Sequence, residues 1–306
     1  MNLGLSTAGV TVRAAGALSP ELGAAVALPL FARVATPRPV GAGAQDTMWA
    51  ARRSTLRIPG LARSGADVIL YEWGTSGDVV VLAHGWDGRA SQFAALVREL
   101  LAEGYRVVAF DAPAHGDSLG RGTYLIDWID ALGAIRRRYG RLHTVVGHSF
   151  GGLATLIAAA DGLAVDRVVT VAAPADADLL LTQFQAMLRF DDRTAAALRV
   201  RFADRFFPGE RDPFARLSAV RRPLPHATPL LAAHDEGDRV VPFGELARIV
   251  EANAGTQIAA TRGFGHNRIL ESDAFLDAVL AFTGQPVSAS ESSAAGDGAE
   301  REDVAA

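Results

Sequence analysis

Residues 147–152 read Gly-His-Ser-Phe-Gly-Gly, and they place a serine between glycines directly after the β-branched run Thr144, Val145 and Val146. The residues that follow, Leu153, Ala154, Leu156 and Ile157 among them, suit a buried helix. Strand, tight turn, helix is the implied context. A serine at such a tip sits in strained backbone with its hydroxyl exposed, and neighbouring glycines relieve the crowding. The chemistry open to Ser149 is attack on a carbonyl carbon. That chemistry needs a base to take the hydroxyl proton, an acid to orient the base, and N–H donors for the oxyanion. By itself the motif also reads as a glycine-rich turn that happens to hold a serine, so the rest of the chain must supply the partners.

Seven histidines compete for the role of base. His84 follows an apolar strand in His84-Gly85-Trp86, and His115 lies in the turn after Asp111-Ala112-Pro113. His143 precedes a strand and reads as a surface residue. His148 adjoins the serine and points away from any pocket that Ser149 faces. His226 lies in a proline-rich stretch, and His234 follows another strand. His266, in Gly263-Phe264-Gly265-His266-Asn267 between the last strand and last helix, is the best placed. For the acid, the loop after residues 229–233 supplies Asp235, Glu236 and Asp238. Asp238, just before Arg239-Val240-Val241-Pro242, is the choice, with Asp235 in reserve; a polar loop or cap explains Asp235 and Glu236 well enough.

The elements that must position these residues follow from hydrophobic runs. Two strands at 55–58 and 67–73 flank a Pro59-Gly60 turn. Apolar strands at 79–83, 106–110, 144–146 and 167–172 then alternate with helices at about 91–103, 123–139 and after the serine. Strands at 229–233 and 256–261 complete the set. Strands apolar on both faces and separated by helices imply a parallel sheet covered on both sides, with its ligand crevice at the C-terminal strand ends. Between about 176 and 225 no strand candidate appears, which predicts an all-helical insert over the open end of the sheet. Its apolar stripe, Leu180, Phe184, Met187 and Leu188 with Phe202, Phe206 and Phe207, serves helix packing, and Phe184 and Leu188 are also candidates to line a pocket from above. The arginines of the insert, interleaved with acids, read as a solvated face.

Composition bounds the function. The chain has 306 residues, 49% of them apolar and 21% charged, which is ordinary for a folded globular protein. A net charge of -4 gives no reason to expect nucleic acid. The absence of cysteine excludes thiol nucleophiles, disulfides and cysteine-ligated metals, and it fits a cytoplasmic location. The absence of lysine excludes Schiff-base and P-loop chemistry. No apolar run reaches the roughly 18 residues that span a bilayer. Near the N-terminus, Ser19-Pro20-Glu21 reads as a helix start, with Ser19 as N-cap and Pro20 at the first helical position. Leu22, Val26 and Leu30 then share one face, expected to dock on the domain rather than to form part of an export signal. Residues 37–45 read as a linker, and the Ser-, Ala- and acid-rich residues after Gln285 as a disordered tail. The expected organisation is therefore an N-terminal helix and linker (1–45), an α/β domain (46–284) and a tail (285–306).

Taken together, the motifs resemble those of the α/β-hydrolase superfamily over about residues 55–283: His84-Gly85-Trp86, the stretch from Phe110 to Ser118, the serine motif, Asp238 to Pro242, and Gly265-His266, each at a strand end. The order Ser149, Asp238, His266 matches the nucleophile, acid, base order of that superfamily. The resemblance implies a mostly parallel, doubly wound sheet with a helical cap. It implies the N–H groups of Phe150 and Trp86 as oxyanion donors, and bracing roles for His84, Asp111 and His115. It also implies a pocket near Trp86 and, more remotely, Trp128, and no metal or organic cofactor. Dehalogenases and epoxide hydrolases of this superfamily use an aspartate where Ser149 stands. The expected activity is hydrolysis of carboxylic esters of small molecules through an acyl-enzyme. The alternatives are an amidase of the proline-iminopeptidase kind, with Glu210 or Asp212 holding the substrate amine, an acyltransferase, or a ligand-binding homologue without turnover. The expected partner is a small acyl substrate, without nucleic acid or membrane insertion, and no sequence feature specifies an oligomeric state.

Overall fold

Alternation along the central strands sends successive side chains to opposite faces, and both faces are apolar, so each strand must be covered twice. A computed structural model, describing residues 3–37, 39–61, 63–226 and 228–286, shows how. Eight strands form one sheet: β1 (Arg52–Ile58), β2 (Ala66–Trp73), β3 (Val79–Ala83), β4 (Arg106–Asp111), β5 (Leu142–His148), β6 (Val165–Val171), β7 (Leu230–Asp235) and β8 (Gln257–Thr261). Their order is β1-β2-β4-β3-β5-β6-β7-β8. β2 runs antiparallel to both its neighbours, and β3 to β8 are parallel.

The helices in chain order are α1 (Leu3–Leu18), α2 (Pro20–Phe31), α3 (Gln45–Trp49), α4 (Ala94–Ala102), α5 (Leu125–Tyr139), α6 (Phe150–Ala160), α7 (Ala177–Leu188), α8 (Asp192–Phe206), α9 (Pro213–Arg216), α10 (Gly244–Ala252), α11 (Gly265–Arg268) and α12 (Asp273–Thr283). Val79, Val81, Phe110 and Val145 face a core shared with α5 and α6. Their neighbours Val80, Leu82, Ala109 and Val146 face a second core filled by α4 and α12. The sheet is thus doubly wound, as the sequence implied.

The insert between β6 and β7 is helical, consisting of α7, α8 and α9. Its two ends meet at a neck, where Ala177 N–H donates to the Leu217 carbonyl (3.0 Å) and Ala219 N–H to the Ala175 carbonyl (2.9 Å). Ser19 caps α2 by accepting from the Leu22 N–H at 3.1 Å, and Pro20 opens the helix, both as expected. The docked face matches the expected one only in part: Val26 and Leu30 pack, partly buried, against the core. Leu22 is exposed, and Gly23, Ala24, Ala27, Leu28 and Phe31 are buried against the cap. Close approach selects the small residues: a Cβ on Gly23 would lie 2.8 Å from the Gly16 Cα and 2.7 Å from the Thr194 methyl of α8. Helix α1, whose small residues give no strong apolar stripe, completes this packing, and its Arg13 donates to the Leu188 carbonyl at 2.6 Å.

His143 is a further correction. It is buried in β5, accepting from Arg167 through Nε2 (3.1 Å), with Nδ1 2.9 Å from the Thr144 hydroxyl. Arg167 also donates to the Gln285 carbonyl, just past the end of α12. The tail expected to be disordered lies, from residue 287 on, outside the described residues. Among those described, no helix is long and apolar enough to cross a membrane.

Candidate active site

Ser149 stands where β5 turns into α6, with φ 53° and ψ −120°, a conformation that L-residues adopt only at a cost. Tight packing holds it there. Its N–H donates to the Val171 carbonyl of β6 at 2.7 Å, and its carbonyl accepts from Gly152 at 2.9 Å. A Cβ on Gly147 would fall 2.5 Å from the Gly151 carbonyl oxygen, and one on Gly151 would overlap the carbonyl oxygens of Ala83 and His84. The glycines are therefore there for close approach: they let α6 start directly against β3, so the turn is sharp and the hydroxyl stands at its tip.

The loop ends of β7 and β8 bring two side chains to that hydroxyl. His266 Nε2 lies 3.0 Å from Ser149 Oγ, and His266 Nδ1 lies 2.7 Å from Asp238 Oδ2. The Asp238 side chain is fully buried, and its donors surround it. Val240 and Val241 N–H groups donate to Oδ1 at 2.7 and 3.0 Å. His234 Nε2 is shared between the Val241 carbonyl (3.1 Å) and Asp238 Oδ2 (3.4 Å). Burial favours the neutral acid, but hydrogen bonds from His234, His266 and Val240 outweigh it and hold the carboxyl well below the usual carboxylate range. An ionised Asp238 accepts from Nδ1–H of His266, which leaves Nε2 free to accept from the Ser149 hydroxyl. The structure therefore assembles the three residues in the geometry that serine activation requires.

Asp235 takes the reserve position's other fate. It accepts from the Gly237 and Phe264 N–H groups (2.9 and 3.0 Å) and from the Thr261 hydroxyl (2.8 Å), which braces the loop that presents His266. Glu236 pairs with Arg262 on the surface.

His148 has a closer part than the sequence suggested. Its side chain is turned away from the serine hydroxyl, as expected, but it reaches under His266. Gln92 Nε2 donates to His148 Nδ1 at 2.9 Å, and His148 Nε2 then donates to the His266 backbone carbonyl at 2.9 Å. Burial, with His266 adjacent, pushes its pKa down to about 3, so it works as a neutral ring. Gln92 was missed altogether, because nothing at its position in the sequence marks it.

The remaining predicted residues divide. His84 Nε2 accepts from the Ala112 N–H (2.9 Å) and its Nδ1 donates to the Gly85 carbonyl (2.7 Å), tying the β3 and β4 loops together. His115 likewise accepts from the Asp87 N–H at 3.1 Å, and Asp111 accepts from Ala90, Asp117 and Tyr71. Phe150 opens α6, where first-turn N–H groups lack helical partners. Trp86 is half-buried in the turn after β3, and its indole packs on the Phe150 ring at 5.1 Å. Trp128 is displaced from the expected pocket. It is fully buried on α5, donates to the His84 carbonyl at 2.8 Å and backs Phe150 from within the core. Leu188 is also buried, in the packing of the cap against α1. Phe184 is buried against Phe31 at 5.1 Å. Glu210 and Asp212, the candidate amine anchors, are paired with Arg216 and Arg221.

Comparisons with known proteins agree with this architecture. The sequence profile described as "Alpha/beta hydrolase family" matches residues 80–287. A search of the curated proteins finds no match. Among solved structures, the chain resembles a bromoperoxidase from Bacillus anthracis, at 20% identity over 76% of this chain and 100% of that one, with a TM-score of 0.56. It resembles an esterase from Exiguobacterium antarcticum at 18% identity, over 76% and 100% of the two chains, with a TM-score of 0.56. A meta-cleavage product hydrolase from Pseudomonas fluorescens IP01 is similar at 23% identity, over 74% and 96%, with a TM-score of 0.52. At such identities the likeness is one of fold.

Proposed function

The chain belongs to the alpha/beta hydrolase family, and from that premise we propose that it hydrolyses carboxylic esters of small molecules through an acyl-enzyme on Ser149. The observation that carries this reading is the unbroken relay from Ser149 Oγ through His266 to a buried, anionic Asp238. His266 Nε2 takes the serine proton as Oγ attacks the acyl carbon, and Asp238 stabilises the resulting imidazolium. The N–H groups of Phe150 and Trp86 receive the oxyanion, with the N-terminus of α6 adding favourable electrostatics. His266 then delivers its proton to the departing alcohol. A water, deprotonated by His266, releases the acid and restores the serine. The substrate is a small acyl compound, and the paired state of Glu210 and Asp212 leaves the amidase alternative without its anchor.

Labelling with a fluorophosphonate, mapped by mass spectrometry, and turnover of p-nitrophenyl esters test the reading. Wild type should be labelled at Ser149, and Ser149→Ala and His266→Ala should lose both labelling and roughly a millionfold in turnover. A folded wild type that is neither labelled nor active would refute hydrolysis and favour a ligand-binding role.

A further inference from the structure

The loop that carries Asp238 is held from the cap as well as from the sheet. We propose that Gln183 of α7 is a positioning residue: it couples the cap to Asp238 through the Val240–Val241 peptide. The inference rests on the ester-hydrolase reading and gives the cap a part in aligning the reacting residues.

Asp238 takes two donors from the residues just after it. The Val240 and Val241 N–H groups donate to Oδ1 at 2.7 and 3.0 Å. The Val241 N–H belongs to the same peptide group as the Val240 carbonyl, and onto that carbonyl the Gln183 side-chain amide donates at 2.6 Å. The peptide is therefore gripped at both ends, by the cap at its oxygen and by Asp238 at its nitrogen. The next carbonyl, that of Val241, accepts from His234 Nε2 of β7 at 3.1 Å, which holds the loop from the sheet side. With Oδ1 pinned by this stretch, Oδ2 is left aimed at His266 Nδ1, 2.7 Å away.

Helix α7 is itself braced, so it can hold a loop still. Asp176 caps it, accepting from the Asp178 and Leu179 N–H groups at 3.1 and 3.3 Å. The other carboxylate oxygen of Asp176 pairs with Arg248 of α10, and Arg248 pairs with Glu245 at 3.0 Å. Glu245 in turn accepts from the Ala175 N–H at 2.8 Å, and both carboxylate residues are buried. Helix α10 begins at Gly244, shortly after Val241, so the neck of the cap and the Asp238 loop share one support. Leu181 and Phe184, which flank Gln183, are buried, and this fixes the turn of α7 that presents the amide.

The consequence belongs to the transition state. Asp238 matters most once His266 has taken the serine proton, so a misplaced carboxylate lowers kcat and leaves KM alone. Glutamate at position 183 separates the bond from the packing. It has the size of glutamine, but when ionised it has no donor and sets an oxygen against the Val240 carbonyl.

The test measures kcat and KM on p-nitrophenyl butanoate for wild type, Gln183→Glu, Gln183→Leu and Thr182→Ala, with thermal melts verifying folding. Thr182, the exposed neighbour of Gln183 on α7, controls for disturbance of the helix. Gln183→Leu should lower kcat about threefold to tenfold and Gln183→Glu at least as much, with KM within about twofold of wild type. Thr182→Ala should match wild type. In an Asp238→Ala background neither Gln183 substitution should lower kcat further, because both residues act through one chain of bonds. Proton NMR of the His266 Nδ1 hydrogen, which Asp238 holds, reads the same alignment without turnover: Gln183→Glu should move the resonance and Thr182→Ala should not. The glutamate variant decides the matter if the leucine form does not fold. An active, Ser149-labelled Gln183→Glu with unchanged kcat and an unmoved resonance sinks the coupling and spares the hydrolase reading. Full additivity with Asp238→Ala also sinks the coupling. A wild type neither labelled nor active, whose resonance still moves on Gln183→Glu, sinks hydrolysis and keeps the coupling; an inert one whose resonance stays in place sinks both.

Discussion

His148 shows how much of the site lies beside the three reacting residues rather than in them. His266 sits on the four-residue helix α11, entered through Gly263 and Gly265, both with positive φ, so its own loop gives it little intrinsic rigidity. Two ties compensate: Asp235 holds the Phe264 N–H, and His148 holds the His266 carbonyl. Replacing His148 with leucine keeps the bulk and removes the hydrogen bond. The expected result is a loss of kcat of about tenfold to a hundredfold with KM little changed, because a displacement of about 1 Å in a reacting group can be that costly. Since burial keeps His148 neutral down to about pH 3, its removal should leave the shape of the pH–rate profile intact above pH 5 or so. Steady-state kinetics across pH separate this positioning role from direct proton transfer, which would alter the profile.

At the scale of elements, Glu72 joins four of them. From β2 it accepts from Arg52 of β1 (2.6 Å), Arg106 of β4 (2.9 Å) and the Tyr139 hydroxyl of α5 (2.6 Å). Burial alone would raise its pKa from the ordinary value of 4.5, but the bonds from Arg52, Tyr139 and Arg106 hold it down to about 2. A carboxyl depressed on folding stabilises the native state above its unfolded pKa, and that contribution fades as pH falls through the native value. Melting temperature should therefore drop between about pH 5 and pH 2, and Glu72→Gln should flatten that part of the curve while lowering stability near neutrality. Identical pH slopes for the two proteins would show the network to be energetically idle. These strands were legible in the sequence because their apolar runs are continuous; only ends differed, as in β1, which starts at Arg52. Ser149, Asp238 and His266 were legible for a related reason, since each ends or follows a strand and the parallel sheet gathers those ends. The helices concealed more. Helix α1 is rich in Ala, Gly and Thr, and α2 buries Gly23 and Ala24 while Leu22 faces solvent, because close helix contact rewards small residues over large ones. Trp128 was misjudged because sequence gives a helical aromatic no direction, and α5 turns it into the core.

The whole molecule extends beyond the segment that its family shares. The profile begins at residue 80, yet Val12, Ala24, Ala27, Leu28 and Phe31 belong to the same apolar core as β3, α5 and α6. The cap is sandwiched accordingly, with α8 facing α2 on one side and Phe202 reaching Tyr124 on the other. Removing the N-terminal helices would therefore uncover Phe184, Leu188, Leu198 and Phe202, which are all buried in the full chain. An apolar patch of that kind drives association. A chain beginning at Ala44 should accordingly melt at a lower temperature and elute from size exclusion as aggregates or larger species. The full chain should melt in one transition, with far-UV circular dichroism and tryptophan fluorescence coincident, because its two cores, one holding α1 and the other α12, are built on the two faces of one sheet. A truncated chain that stays monomeric with an unchanged melt would show the helices to be an appendage. The cap would then have to cover its own apolar face.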